Sequence, residues 1–515
     1  MKKVFKLIAC VIVALVTNTV NAQRMGCVHG YAEEGMVTRS ADDFQLLPDP
    51  FDFDPEQTYR QPVVLVTFSD TDFSMENPVA YYDRLFNEEG FNQGMGQGCV
   101  ADYFRDQSNG RANIHFDIYG PIKVGEKAGG HSKSYYGYDI MHEALSKLCE
   151  TEQTDFSIYD RDGNGMVNQV LFIAAGFTGG GVHQGYVWPN TGRSSFYTLP
   201  GGIECRMLSI SCELWNVNSL CGIGTIIHEY LHCLGLPDIY PTASATAYSA
   251  VDEWDIMDGG NYTNMGWCPP NLSAMEKMYL GWATPVELTG SVGIRNMLPV
   301  SSGGETYIIR NSGNSNEFYL LENHCQEGWD YGCPGNGLLI FHVNYTKQAW
   351  GNNLVNVSDV QYNYDLFHAD GKNYRDWNPI NSGGDLNQWT MMNHLRSKFL
   401  STSPYPFTDP TTSAVNDSLT DHSVPAATVY TANAEGKKFM GKAITNIKVA
   451  EDGTVSFDFN YADPSAITGM AADEKAVVTG WCDLNGRLLA APPQRPGVYI
   501  TLYSDGSRKK CYGSE

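Results

Sequence analysis

The spacing of apolar residues changes character along the chain. Pro62-Val63-Val64-Leu65-Val66-Thr67-Phe68 is an unbroken apolar run, which predicts a strand buried on both faces. Val167 to Ala175 predicts a second strand of that kind, and Ile114 to Tyr119 alternates as a third. Ala80 to Phe86 and Val100 to Asp106 read as helices, and Ile140 to Cys149 reads as an amphipathic helix. The resulting order β, α, β, α, β leads into Ile223, Ile226, Ile227, Tyr230, Leu231 and Leu234, which share one helical side and end at Gly235. Beyond about Pro285 the elements shorten. Tyr307 to Ile309, Phe318 to Glu322 and Leu338 to Val343 predict strands between Gly- and Asn-rich turns. Ala443 to Tyr461, with Asp452-Gly453 as its turn, predicts a hairpin, whereas residues 347 to 440 predict long polar loops. Together these patterns predict an α+β protein, with a twisted sheet over the 223–235 helix and a β-rich part after it.

The helix carries a candidate site. Thr225 to Asp238 contains His228-Glu229-x-x-His232. Residues four apart share a helix face, so His228 and His232 can offer two imidazoles to one metal ion, with Glu229 one step round. Two neutral nitrogen ligands and a carboxylate near metal-activated water make the layout of a zinc hydrolase, with Glu229 as general base. The motif alone is weak, because helices carry surface His and Glu routinely. Its continuation adds Gly235 and then Asp238, a candidate third ligand. Glu253, further on, is the competing third ligand. Cys233 leaves the helix about 100° round from His232 and reads as a packing residue.

Asp160, Asp162 and Asn164, with Gly165 next, match positions 1, 3, 5 and 6 of a calcium loop, and Met166 and Asn168 complete the candidate set. Position 12 is Leu171 and a strand follows, so this is no EF-hand; a metal-free Asx-rich turn is the competing reading.

Length and composition bound the partners. The 515 residues suffice for two or three domains. Lys+Arg 34 against Asp+Glu 58 gives a net charge of -24, which argues against nucleic acid and anionic membrane surfaces. Lys2, Lys3 and Lys6 precede the apolar run Leu7 to Val16, and Val20-Asn21-Ala22 supplies small residues. This predicts a signal peptide over 1–22, too short to span a bilayer, and a secreted or cell-surface protein. Residues 23–60 are polar and Asp- and Pro-rich, as in a pro-segment or N-terminal arm, where Cys27 is either a latch on the metal or a disulfide partner. Export predicts some disulfides among the twelve cysteines after Cys10.

Several stretches together resemble a known family. His-Glu-x-x-His-x-x-Gly-x-x-Asp is similar to the elongated metzincin motif, with Asp238 where most members have a third His. Met257, in Trp254-Asp255-Ile256-Met257, stands where metzincins carry a methionine turn, and Tyr262 after it is a candidate for oxyanion assistance. Val66-Thr67-Phe68-Ser69-Asp70, Phe116 to Pro121, Val187-Trp188-Pro189, Leu272 to Lys277 and Gly337 to Val343 occur in the same order as in the immune inhibitor A family of secreted bacterial metallopeptidases. The resemblance covers roughly residues 60 to 350, departs at Asn344, and implies a zinc endopeptidase acting on proteins. It sets the expected architecture: a zincin/metzincin-like catalytic domain over 61–289, a β-rich accessory domain over 290–461 and a linker over 462–477. The last segment, 478–515, reads as a C-terminal β-module. Asp483 to Arg487 and Gly497 to Ile500 there resemble a type IX secretion sorting tail, which implies secretion machinery as a partner. A non-enzymatic adhesin that has kept the fold is the competing function, and intact Glu229 argues against it.

Overall fold

A computed structural model describes residues 52–132, 135–151, 155–179, 183–199, 203–242, 249–358, 360–372, 400–460, 478–482, 488–489, 491–493, 497–503 and 508–513. The expected signal peptide, Cys27, the linker and Asp483 to Arg487 lie outside these residues. The chain divides into two compact units, Met1–Tyr461 and Ala462–Glu515.

The first unit opens with β1 (Tyr59–Thr67), α1 (Pro78–Asn87), α2 (Val100–Gln107), β2 (Ile114–Lys123), α3 (Tyr138–Thr151) and β3 (Met166–Phe177). Then come β4 (Asn190–Thr198), β5 (Glu204–Asn216), β6 (Ser219–Leu220) and α4 (Gly224–Cys233). The strands form one sheet in the order β2-β1-β3-β5-β4, with β6 on β5. β1 runs parallel to β2 and β3, and β3 parallel to β5; β4 alone of the five is antiparallel to its neighbour. Period-2 alternation splits the sheet's side chains between two cores. Val63 and Leu65 of β1 and Leu171 and Ile173 of β3 face a cluster with Ile227, Tyr230 and Leu231 of α4. Val64, Val66, Val170, Phe172 and Ala174 face the opposite cluster, with Ile140, Met141, Leu145 and Leu148 of α3. Full burial of each such side chain contributes about 1.5–3 kcal/mol.

Local chemistry starts the helices. Asn77 caps α1 by accepting from Ala80 N, with Pro78 at the first helical position. Cys99 and Asp102 form a reciprocal capping box on α2.

After α4 follow α5 (Ala274–Tyr279), β7 (Val286–Glu287), β8 (Val292–Met297), β9 (Tyr307–Asn311), β10 (Asn314–His324), β11 (Gly337–Asn344), α6 (Lys347–Gly351) and β12 (Tyr364–Leu366). β12-β11-β10-β9-β7 form a second sheet. The short pair β13 (Phe407–Thr408) and β14 (Val415–Asn416) precedes β15 (Ala443–Val449) and β16 (Val455–Asn460). β15 and β16 are the predicted hairpin, extended by β8, and Gly453 takes φ +78 in its turn. β10 serves two cores: Phe318 and Leu320 join the cluster of α4, while Tyr319 and Leu321 join that of β15 and β16. Residues on both sides of position 290 therefore pack into the core that carries α4.

In the second unit β17 (Val478–Cys482), β18 (Leu488–Leu489), β19 (Gly497–Tyr503) and β20 (Arg508–Gly513) form an antiparallel sheet in the order β18-β17-β19-β20. Among the described residues no helix is long and apolar enough to cross a membrane.

Two expectations need correction. The expected order before α4 is incomplete: both predicted helices, α1 and α2, separate β1 from β2, but β4, β5 and β6 stand unpredicted between β3 and α4. β5 escapes a search for apolar runs because Ser209, Ser211 and Glu213 interrupt Leu208, Ile210 and Cys212, yet all six are buried. The expected disulfides are also missing among the described residues. Cys99, Cys149, Cys205, Cys212, Cys221, Cys233, Cys268, Cys325, Cys333 and Cys482 are free thiols. Most are buried packing residues, and burial raises the thiol pKa of Cys205 and Cys212 to about 12.

Candidate metal centre

α4 is buried from Gly224 to His232. Gly224 is required at its start, because a Cβ there would stand 2.1 Å from the Asn261 carbonyl oxygen. At its end Gly235 takes φ +103. Gly235 N donates to the His232 carbonyl (3.0 Å) and Leu236 N to the Leu231 carbonyl (3.1 Å), the two bonds of a Schellman motif. This reversal carries Pro237 and Asp238 back toward the histidines.

Three donor atoms converge there. His228 Nε2 and His232 Nε2 are 3.2 Å apart, and Asp238 Oδ1 lies 3.2 Å from the first and 3.3 Å from the second. A tetrahedral ion bonded at about 2.0–2.1 Å sets its donors about 3.3–3.4 Å apart, so the triangle fits such an ion. The far ring nitrogens are fixed by carbonyls: His228 Nδ1 by Ile256 O (2.7 Å) and His232 Nδ1 by Leu236 O (2.8 Å). A carbonyl only accepts, so each Nδ1 carries the proton and each Nε2 presents its lone pair. Burial pushes the His228 pKa down, but hydrogen bonding to Asp238 and the charges of Glu229 and Asp238 outweigh it, and the net direction is up. The pocket favours positive charge.

Glu229 is fully buried beside this triangle. Thr191 Oγ1 lies 2.7 Å from Glu229 Oε2 and 2.9 Å from the Glu229 carbonyl oxygen. Behind Thr191 a row of buried polar groups crosses the sheet. Thr191 Oγ1 meets Ser209 Oγ at 2.9 Å, Gln169 Nε2 donates to Ser209 Oγ at 2.6 Å, and Gln61 Nε2 donates to the Gln169 carbonyl at 2.8 Å. These residues explain the polar interruptions in the strands: they satisfy one another beneath the helix and hold the Glu229 carboxylate. Tyr138 stands on the same side. A Cβ on Gly192 would lie 2.1 Å from its hydroxyl oxygen, and burial together with the Glu229 charge raises its pKa.

Asn353, which sequence reasoning missed, completes the arrangement from the other half of the chain. Its side-chain Nδ2 donates to Asp238 Oδ2 (2.7 Å), and its Oδ1 accepts from Asp238 N (2.5 Å). It follows α6 with φ +57, a conformation Asn tolerates better than most residues. Nothing in the sequence links two positions 115 apart, so only the fold reveals the pair.

Other sequence candidates fall as follows. Met257 is fully buried in the core of α4; its carbonyl accepts from Ile239 N (2.8 Å), and the preceding Ile256 carbonyl is the one on His228. Glu253 lies in a short helical turn, Asp252–Trp254, outside the donor cluster of His228, His232 and Asp238. Tyr262 packs edge-on against Trp215, ring centroids 5.5 Å apart. In the 160–168 loop, Asp160 accepts from Asn164 N (3.0 Å) and Gly165 N (2.8 Å). Asp162 accepts from Asn164 Nδ2 (2.9 Å), Met166 N donates to Asn164 Oδ1 (2.9 Å), and Asn168 Oδ1 accepts from Arg161 N (3.1 Å). The loop is an Asx turn closed on its own bonds.

Comparison with known proteins bears on this segment. The family model "Immune inhibitor A peptidase M6, catalytic domain" matches residues 214–284, from β5 through α4 to beyond α5. The pre-pro-metalloprotease PrtV of Vibrio cholerae is 23% identical over 239 residues, 39% of this chain and 26% of that protein. Immune inhibitor A of Bacillus thuringiensis subsp. alesti is 25% identical over 289 residues, 47% of this chain and 41% of that protein. The chain thus spans less than half the length of these curated relatives. Through the segment that carries α4, the chain is similar to the immune inhibitor A-like metallopeptidases.

Proposed function

We propose that the chain is a secreted zinc endopeptidase that hydrolyses peptide bonds of protein substrates, built on a metzincin-like catalytic region. The observation that carries this reading is the triangle of His228 Nε2, His232 Nε2 and Asp238 Oδ1 with the Glu229 carboxylate beside it. Two imidazoles and one carboxylate are a zinc donor set, and three protein ligands are the number a catalytic site uses. Bound zinc would acidify water and polarise the scissile carbonyl. Glu229, held through Thr191, takes a proton from the attacking water and gives it to the leaving amine. His228 and His232, each locked with its proton on Nδ1, keep their lone pairs available. Asn353 fixes the Asp238 carboxylate so that one oxygen is committed to Asn353 and the other faces the histidines. An adhesin would have no use for a carboxylate oriented in this way. The experiment is metal removal: chelation should abolish cleavage of an unfolded protein substrate, and stoichiometric zinc should restore it. Cleavage that survives exhaustive chelation would contradict the proposal.

Asn353 gives a separate expectation. Asn353→Ala should weaken zinc binding about 10–100-fold in a chelator competition, as loss of an outer-shell partner does. Unchanged affinity would mean that Asp238 needs no support from the second half of the chain.

Calcium in the 160–168 loop is a finer part of the reading: the ion would replace the Asx-turn bonds that close the loop, with Asp160, Asp162, Asn164, Met166 and Asn168 as its ligands. Calcium at 100 times its dissociation constant would stabilise the fold by about 2.7 kcal/mol. The melting temperature should therefore rise with calcium, and the double change Asp160→Ala, Asp162→Ala should remove the rise without altering zinc content. A melting curve indifferent to calcium would remove this ion from the account.

A further inference from the structure

A second group of metal-ligating side chains lies away from α4, where β10 ends. His324, Asp330 and Cys333 each offer one ligand atom, all within 4.8 Å of one another, and all three residues are buried. They come from a ten-residue stretch, with Asp330 in the short helical turn Gly328–Gly332. His324 Nδ1 approaches Asp330 Oδ2 to 2.9 Å. With Cys333 Sγ within 4.8 Å of both, the three atoms are close enough to reach one ion. The remaining atoms are committed elsewhere. His324 Nε2 faces Glu322 Oε2 at 3.4 Å, so a ring proton held on Nε2 would leave the Nδ1 lone pair for an ion. An imidazole whose outer N–H meets a carboxylate is the usual arrangement of a metal-bound histidine. Asp330 Oδ1 accepts from Asn271 N (2.9 Å), which frees only Oδ2 for a ligand.

We propose that His324 Nδ1, Asp330 Oδ2 and Cys333 Sγ bind a second divalent transition-metal ion, zinc by donor type, in a structural site. A mixed nitrogen, oxygen and thiolate set suits zinc and does not suit calcium or magnesium, which take oxygen. Cys333 binds as the thiolate, so its proton is released to solvent when the ion enters. The site's outer groups hold the strand of chain that follows the metal helix: Asp330 binds Asn271 N, and Glu322 Oε1 accepts from Ala274 N (2.9 Å) at the start of α5. The ion would tie β10 to that segment. The proposal does not depend on peptidase activity.

The test uses the full chain. Zinc reconstitution followed by elemental analysis should give two equivalents per chain. Cobalt substitution should add a thiolate-to-cobalt charge-transfer band, which the His228, His232, Asp238 set has no thiolate to produce. Cys333→Ser should lose the band and one equivalent, whereas Asp238→Ala should lose the other equivalent and keep the band. A single equivalent in the unaltered chain with no thiolate band would overturn the proposal and leave an imidazolium between Glu322 and Asp330. A band that persists in Cys333→Ser would overturn it as well. The unaltered chain decides the matter even if Cys333→Ser fails to fold.

Discussion

Glu229→Ala is expected to keep its full complement of zinc at the α4 site and to lose at least ~10²-fold in peptide hydrolysis. The two halves of this expectation have separate causes. Zinc is retained because Glu229 is not one of the three converging donors, which are His228 Nε2, His232 Nε2 and Asp238 Oδ1. Activity falls because no other described carboxylate belongs to the site: Asp238 is committed to Asn353 and the histidines. The removed side chain also leaves the Thr191 hydroxyl without its carboxylate acceptor, though the Glu229 carbonyl at 2.9 Å remains. Stability should therefore change little. Zinc content and hydrolysis rate, measured on one preparation, check both halves. Full activity in the variant would mean another base or another chemistry.

Asp238→Ala is expected to lose zinc affinity by more than the roughly 10–100-fold attached to an outer-shell partner. Glu253→Ala should leave affinity nearly unchanged. The reason is position: Asp238 Oδ1 stands 3.2–3.3 Å from both Nε2 atoms, whereas Glu253 lies outside their cluster. Asp238→Ala should also destabilise the metal-free chain. Asn353 is buried and would lose the Oδ2 acceptor at 2.7 Å. A buried donor left unsatisfied costs about 1–3 kcal/mol. Zinc titration and thermal melting of both variants check these outcomes. The reverse order of zinc affinities would remove Asp238 from the ligand set.

Much of the sheet was legible because its strands carry their own signal. β1 and β3 are buried on both faces, so their apolar runs stand out without any knowledge of neighbours. α4 was legible for two reasons: its apolar side repeats at helical spacing, and Gly235 marks its end. β5 was not. Its buried Ser209 bonds to Gln169 and Thr191, partners on β3 and β4, so its polar positions read as exposed ones. Asn353 was illegible for a similar reason, since its value lies in a contact across the two halves of the chain. The cysteines misled in the opposite direction. An exported chain suggests disulfides, yet Cys205 and Cys212 pack as buried thiols among the apolar residues of one core. The His324, Asp330, Cys333 group has no familiar spacing, and only the turn at Gly328–Gly332 folds its donors together.

The most direct measurement is a cleavage assay on the zinc-loaded full chain, run beside Glu229→Ala, with an unfolded protein as substrate and the new termini read by mass spectrometry. The account predicts internal cuts that appear with the unaltered chain, vanish on chelation and are at least ~10²-fold slower with the variant. No cuts from the zinc-loaded chain, or equal cuts from both proteins, would contradict it.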